Sequence, residues 1–128
     1  MNLLLDSHVL LWAAGSPQRL SHTARGLLEA PEHTLHFSAA SLWEIAIKAA
    51  LGRPDFLVDP VLLRRRLLNN GYGEVSITGE HVCGIRNLPP LHRDPFDRLL
   101  VAQAIVEGML LVTSDATVAR YPGPIRQI

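Results

Sequence analysis

Apolar positions along the chain fall into two kinds of segment: short continuous runs, and longer stretches with helical spacing. Asn2 to Leu5 is a brief apolar run and predicts a buried strand. Val9 to Ala14 reads as a helix closed by Gly15 and Pro17. Ser21 is placed to N-cap a helix running to Ala30, which Pro31 ends. Thr34 to Ser38 predicts a second strand. Ser41 to Leu51 predicts a helix stopped by Gly52 and Pro54. Asp59 caps a further helix with Pro60 at its first position, reaching toward Gly71. Glu74 to Ile77 predicts a third strand, with a short helix after it through Val82 and Ile85. Pro95 to Gly108 is the clearest helix. Met109 to Thr113 is an apolar strand, a short helix follows from Ala116, and Pro124 to Ile128 reads as an edge strand. Strands alternating with helices predict an α/β fold with a mostly parallel sheet. Helices on both faces would explain why Met109 to Val112 is continuously apolar rather than alternating.

Composition bounds this picture. The 128 residues suit one domain, and 48% apolar residues support a core while excluding disorder. Lys plus Arg and Asp plus Glu balance at 12 each, which excludes a strongly cationic nucleic-acid-binding chain but not local charge asymmetry. The lone Cys83 permits no internal disulfide and fits a reducing, cytoplasmic setting. No Lys or Arg precedes the apolar N-terminus, and Asp6 and His8 interrupt it, which argues against a signal peptide. No apolar run reaches the roughly 18 residues of a membrane span, so no membrane association is expected.

The placement of the acids is the informative feature. Asp6 ends the first strand and Asp115 closes a similar string, Leu110 to Asp115. Ligands of open parallel sheets bind beyond the carboxyl ends of strands, so two such acids converge if their strands are neighbours. Each is also a good N-cap for the helix that follows. Ser41 and Glu44 match a capping box, and Glu44 and Lys48 match an i,i+4 ion pair. Around them the helix is apolar nearly all round and reads as largely buried, so Glu44 needs a partner: Lys48 or a metal ion. Asp94 before Pro95 is a strong N-cap arrangement. Asp97 heads the helix face that carries Leu100, Val101 and Ala104, which points it at the core and makes it the stronger functional candidate of the two.

Other signals fail. The loop-like His92-Arg93-Asp94 lacks the asparagine of a kinase catalytic loop, and Gly71-Tyr72-Gly73 lacks the third glycine of a dinucleotide fingerprint. The histidines show no ligand spacing and read as surface or cap residues.

Four carboxylates from separate segments, Asp6, Glu44, Asp97 and Asp115, form an oxygen-only donor set that suits Mg²⁺ or Mn²⁺. A divalent ion would relieve their mutual repulsion and could activate water for phosphodiester hydrolysis. Thr113 and Ser114 beside Asp115 are candidates to support the metal's ligands. The strings Leu4 to Trp12, Ser41 to Lys48, His92 to Leu100 and Leu111 to Asp115, in this order and across nearly the whole chain, resemble PIN-domain ribonucleases, most of all the VapC toxins of type II toxin–antitoxin modules. The resemblance implies a single PIN-like three-layer α/β/α sandwich over residues 1–128 and Mg²⁺- or Mn²⁺-dependent RNA cleavage. By position it assigns Asp6, Glu44, Asp97 and Asp115 to the acidic centre, with Asp94 in an accompanying string. It further implies a homodimer and a cognate antitoxin that occludes the site. The apolar surplus of the Pro60 to Asn69 helix suits an interface as well as core packing.

An acidic centre must be flanked by cations to hold RNA. Arg64, Arg65 and Arg66 fan around a helix and read as a solvated face, whereas Arg93 and Arg98 stand beside the acids, placed to touch substrate or antitoxin. With Trp12 and Trp43 expected inside, recognition by shape and backbone is favoured over base stacking. Two rivals stand beside the nuclease. A phosphoacceptor receiver domain would need a lysine at a later strand end, and the only lysine is Lys48. A non-catalytic interaction module would use the acids as caps and ion-pair partners.

Overall fold

The computed structural model describes residues 1–128 as five strands and six α-helices. In chain order these are β1 (Asn2–Leu5), α1 (Ser7–Gly15), α2 (His22–Glu29), β2 (Thr34–Ser38), α3 (Ala39–Ala50), α4 (Pro60–Asn69), β3 (Gly73–Val75), α5 (Gly79–Gly84), α6 (Pro95–Glu107), β4 (Leu110–Thr113) and β5 (Ile125–Gln127). Short 3₁₀ turns occupy Pro17–Arg19, Ile85–Asn87 and Val118–Arg120. The strands form one all-parallel sheet in the order β3-β2-β1-β4-β5.

The sheet is covered on both faces, as its apolar strands require. Leu3, Leu5, Phe37 and Val112 pack with α1, α2 and α4 through Val9, Leu10, Ala24, Leu28, Leu63 and Leu67. Leu4 and Leu111 point the opposite way, onto Leu99, Leu100, Val101 and Ala104 of α6. Alternate residues of β1 and β4 therefore feed two cores, and the result is the expected three-layer α/β/α sandwich. No helix is long and apolar enough to cross a membrane.

The helix ends follow the local chemistry. Ser21, Asp59 and Asp94 each accept backbone N–H bonds at the start of α2, α4 and α6. Gly108 ends α6 in the left-handed region at φ 66°, which glycine adopts without strain.

Several elements differ from the sequence reading. α3 begins at Ala39 with Ser38 as its cap, directly off β2. Ser41 thus lies within the helix, and the Ser41–Glu44 capping box does not form. α3 is also not buried all round: Trp43 is 57% exposed and Ile47 44%, because only one side of the helix meets the rest of the domain. β3 spans Gly73–Val75 rather than Glu74–Ile77, since its pairing with β2 starts at Gly73 opposite His36. The helix expected from Ala116 is the 3₁₀ turn Val118–Arg120.

The His36 ring closely covers that glycine. A Cβ on Gly73 would stand 2.5 Å from Cδ2 of His36 and 2.9 Å from its Nε2. Gly73→Ala is expected to destabilise the fold by roughly 1–3 kcal/mol, the usual cost of overpacking. In a His36→Ala background the same substitution should cost much less, as a double-mutant cycle by urea denaturation would show.

Candidate metal centre

β1 and β4 lie side by side, with Leu5 opposite Val112. The chain leaves β1 toward β2 on one side, while β4 lies on the other, so the carboxyl ends of β1 and β4 form the topological switch point of the sheet. Asp6 follows β1 and Asp115 follows β4 by two residues, so both acids stand at this edge.

Asp6 is 4% exposed. Its Oδ1 accepts the Val9 N–H at 2.9 Å, which caps α1, and its Oδ2 accepts the Thr113 hydroxyl. Thr113 Oγ1 in turn accepts the backbone N–H of Asp115 at 3.0 Å, so this fully buried side chain ties the two strand ends together. Asp115 Oδ1 accepts the Thr117 N–H at 2.8 Å and the Val118 N–H at 3.4 Å. Cap and site are therefore not alternatives for these acids: one oxygen caps, and the other meets Thr113 in Asp6 and His92 in Asp115.

Asp97 occupies the first turn of α6, whose N-cap Asp94 accepts the N–H groups of Phe96 at 2.8 Å and Asp97 at 3.2 Å. Leu100, Val101 and Ala104 on the adjoining face are buried, so α6 is held with Asp97 turned toward the centre. Glu44 is brought in by α3. Its Oε1 accepts the Ser7 hydroxyl at 2.7 Å, and its Oε2 lies 3.3 Å from Lys48 Nζ. A depression of about 240 Å³ joins Asp6, Glu44, Asp94, Asp97 and Asp115 with Ser7, His8, Lys48 and His92, and contains no hydrophobic residue.

The electrostatics reflect the crowding. Burial raises the Asp6 carboxyl, against the lowering effect of the Thr113 hydroxyl and the Val9 N–H. Asp97 is pushed up to about 7, first by burial and then by Asp94, with Glu44 and Asp6 adding to it and His92 opposing. Asp115 is also pushed up by burial, but the Thr117 and Val118 N–H groups and His92 outweigh this and lower it overall. Five carboxylates share the depression with one lysine, which is paired to Glu44. That imbalance and the hard oxygen donors fit a divalent cation.

Sequence reasoning missed His92. Its Nε2 lies 3.2 Å from Asp97 Oδ2 and 3.5 Å from Asp115 Oδ2, and the three ligand atoms fall within 4.8 Å of one another. No local spacing announces this, because Asp115 reaches His92 only through the fold. Ser41 was read only as a helix cap, and Ser7 was passed over although it directly follows Asp6. Its hydroxyl lies 3.0 Å from that of Ser41.

Arg98 does not face the centre. Its guanidinium donates to the carbonyls of Pro89 at 3.1 Å and Ile85 at 3.4 Å and to Tyr121 Oη at 3.1 Å. It braces a loop instead of reaching outward, whereas Arg93 is exposed. Arg64 forms a two-pronged pair with Glu74. Trp43 is not inside the core: it packs edge-on against Phe96 at 5.0 Å with more than half its surface open. The premise that aromatic faces are hidden therefore fails.

An α/β/α sandwich with an acidic centre at the β1–β4 switch point is the architecture shared with PIN domains. Residues 3–124 match the family model described as PIN domain, and the chain belongs to that family. The chain is 36% identical over 126 residues to Ribonuclease VapC22 of Mycobacterium tuberculosis, covering 96% of this chain and 95% of that relative. Among solved structures it resembles VapBC2 of Rickettsia felis bound to a promoter DNA fragment, with a TM-score of 0.72 and 17% identity over 99% of this chain and 98% of that one. VapBC-1 of nontypeable Haemophilus influenzae gives a TM-score of 0.64 and 15% identity, over 99% and 98%. A toxin–antitoxin complex from Klebsiella pneumoniae gives 0.63 and 15%, over 98% and 99%.

The raised Asp97 makes a signed prediction for the metal-free protein. Its folded-state pKa lies above the ordinary 3.8, so the folded chain favours the protonated form, and this contribution to stability is lost as pH rises toward and through about 7. Asp97→Asn should therefore raise the melting temperature at pH 8, by on the order of 5 °C, and give almost no gain near pH 3. Calorimetry in EDTA at the two pH values checks this, and an equal effect at both would contradict it.

Proposed function

We propose that this PIN-domain protein is a metal-dependent endoribonuclease that hydrolyses RNA phosphodiester bonds and acts as the toxin of a toxin–antitoxin pair. The observation that carries the reading is the convergence of Asp6, Glu44, Asp97 and Asp115 in one polar depression at the switch point of the sheet. Its likeness to a relative named as a ribonuclease supports the activity. The solved neighbours with toxin–antitoxin partners support the biological setting.

The residues that would hold Mg²⁺ or Mn²⁺ are Asp6, Asp97 and Asp115, with Glu44 at the margin. A divalent ion there would polarise a phosphoryl oxygen and provide a water with a lowered pKa. The chain's own part is to fix the carboxylates. Thr113 orients Asp6 through its hydroxyl and receives the Asp115 N–H, and Asp94 fixes the first turn of α6 beneath Asp97. Ser7 and Lys48 hold Glu44 from two sides. Lys48 is 44% exposed at the rim, where its ammonium can meet a phosphate as well as Glu44.

We further propose a homodimer and an antitoxin partner. Val61 and Leu62 on α4 are 68% and 39% exposed, the apolar surface such contacts use. The receiver-domain rival loses support from the strand order. Receivers have the flavodoxin-like order 2-1-3-4-5, whereas β1 here lies between β2 and β4, and the one lysine is paired on a helix.

Purified protein should cleave RNA with Mg²⁺ or Mn²⁺ and stop when EDTA is added. Asp6→Asn and Asp97→Asn should each lower the cleavage rate by more than the roughly 100-fold that loss of a supporting residue costs, while remaining folded by circular dichroism. Cleavage unaffected by EDTA, or retained in both variants, would refute the assignment.

A further inference from the structure

His92 precedes α6 on a loop, with its side chain 26% exposed. Its Nδ1 accepts the Asp94 backbone N–H at 3.2 Å. A ring nitrogen that accepts a hydrogen bond carries no hydrogen, so with Nδ1 accepting from Asp94 the ring's hydrogen is on Nε2. That Nε2–H faces two carboxylates from different elements: Asp97 Oδ2 on α6 at 3.2 Å and Asp115 Oδ2 after β4 at 3.5 Å. A nitrogen bearing a hydrogen has no lone pair for a metal. His92 is thus suited to grip the carboxylates rather than to join them as a ligand.

The loop is itself anchored. The His92 backbone N–H donates to Tyr121 Oη at 2.9 Å, and the same oxygen accepts from Arg98 at 3.1 Å. Arg98 also stacks its guanidinium 5.9 Å from the Tyr121 ring centroid. Tyr121 is 3% exposed in the core beneath α6, so the imidazole is referenced to the rigid scaffold and not to a free loop.

We infer that His92 is a positioning residue of the centre: its Nε2–H sets the separation of the Asp97 and Asp115 carboxylates and so tunes the affinity for the divalent cation, without ligating it. This rests on the metal-centre reading proposed above. Hydrogen bonds to ligating carboxylates are known determinants of metal affinity, with losses of about 10- to 100-fold when they are removed.

The test uses the full chain and MnCl₂, with free Mn²⁺ measured by electron paramagnetic resonance. His92→Ala is expected to weaken Mn²⁺ binding by about 10- to 100-fold. His92→Gln, which keeps an N–H near the Nε2 position, should recover most of that loss. In cleavage assays the Mn²⁺ concentration for half-maximal rate should shift in parallel, while the rate at saturating Mn²⁺ changes less. Unchanged affinity in His92→Ala overturns the inference. So does tighter binding, because the ring would then be competing with the ion. Equal losses in the Ala and Gln variants, both with native circular dichroism, overturn it as well, since the donor would then be irrelevant. Wild-type protein that binds no Mn²⁺ refutes the metal-centre reading itself, an outcome distinct from all of these.

Discussion

The parallel pairing of β1 with β4 is the contact on which the rest depends. It brings Asp6 and the Thr113–Asp115 segment to one edge of an otherwise apolar sheet, with Leu5 opposite Val112 just behind them. Like charges at the end of a buried strand are unfavourable unless their lone pairs are occupied. The surrounding structure supplies the occupants. Backbone N–H groups from the starts of α1 and the Val118–Arg120 turn take one oxygen of Asp6 and of Asp115, and the Thr113 hydroxyl takes the other oxygen of Asp6. The helix starts are thereby fixed by the same side chains that form the centre. Their positive dipole ends face the acids, and this partly offsets the crowding. Asp97 is the residue left with the least compensation, and it is the one pushed furthest from its ordinary pKa.

The two cores make this edge rigid. Leu3, Leu5 and Val112 face α1, α2 and α4, while Leu4 and Leu111 face α6. Each strand that carries an acid is therefore gripped from above and below. α6 bears Asp97 and is among the most deeply buried helices, with Leu99 through Ala104 all buried. A second buried link reaches across the sheet: Gln103, wholly buried, accepts the Ser38 hydroxyl at 2.6 Å. Ser38 caps α3, the helix that carries Glu44. The four acids thus come from four segments but are mounted on one frame, which a centre needing sub-ångström placement requires.

Much of this frame was legible in the sequence. Asn2–Leu5 was readable because a parallel strand buried on both faces is a nearly continuous apolar run, Thr34–Ser38 because Leu35 and Phe37 alternate with polar residues, and Pro95 with Asp94 marked the start of α6 without ambiguity. The acidic set was legible because strand ends and an apolar helix are unusual places for carboxylates. What failed had physical causes. The start of α3 was misplaced because Ser38 and Ser41 are equally good caps locally, and only the abrupt turn off β2 selects Ser38. Trp43 was expected inside because composition does not tell which side of an apolar helix is covered. Arg98 was read as outward-facing because its acceptors, the carbonyls of Ile85 and Pro89 and the hydroxyl of Tyr121, lie in neighbouring loops whose course the sequence does not reveal. His92 was missed because its meeting with Asp115 spans 23 residues and an intervening helix and strand.

The neutral overall charge takes a different meaning from this arrangement. Asp6, Glu44, Asp94, Asp97 and Asp115, five of the 12 acids, line one depression. The rest of the chain has seven acids against 11 arginines. Some of those arginines are engaged in the scaffold, Arg64 with Glu74 and Arg98 with Tyr121. Others, such as Arg65, Arg66 and Arg93, are exposed. Outside the concentrated negative centre, the rest of the chain therefore carries an excess of positive charge. Unscreened carboxylates would repel a phosphate at close range, and a bound divalent ion would reverse the sign of that contact. The same ion would also offset the burial and the neighbouring carboxylates that together raise Asp97. Phosphate attraction and the crowding of the acidic cluster would thus be coupled through one charge, that of a bound cation.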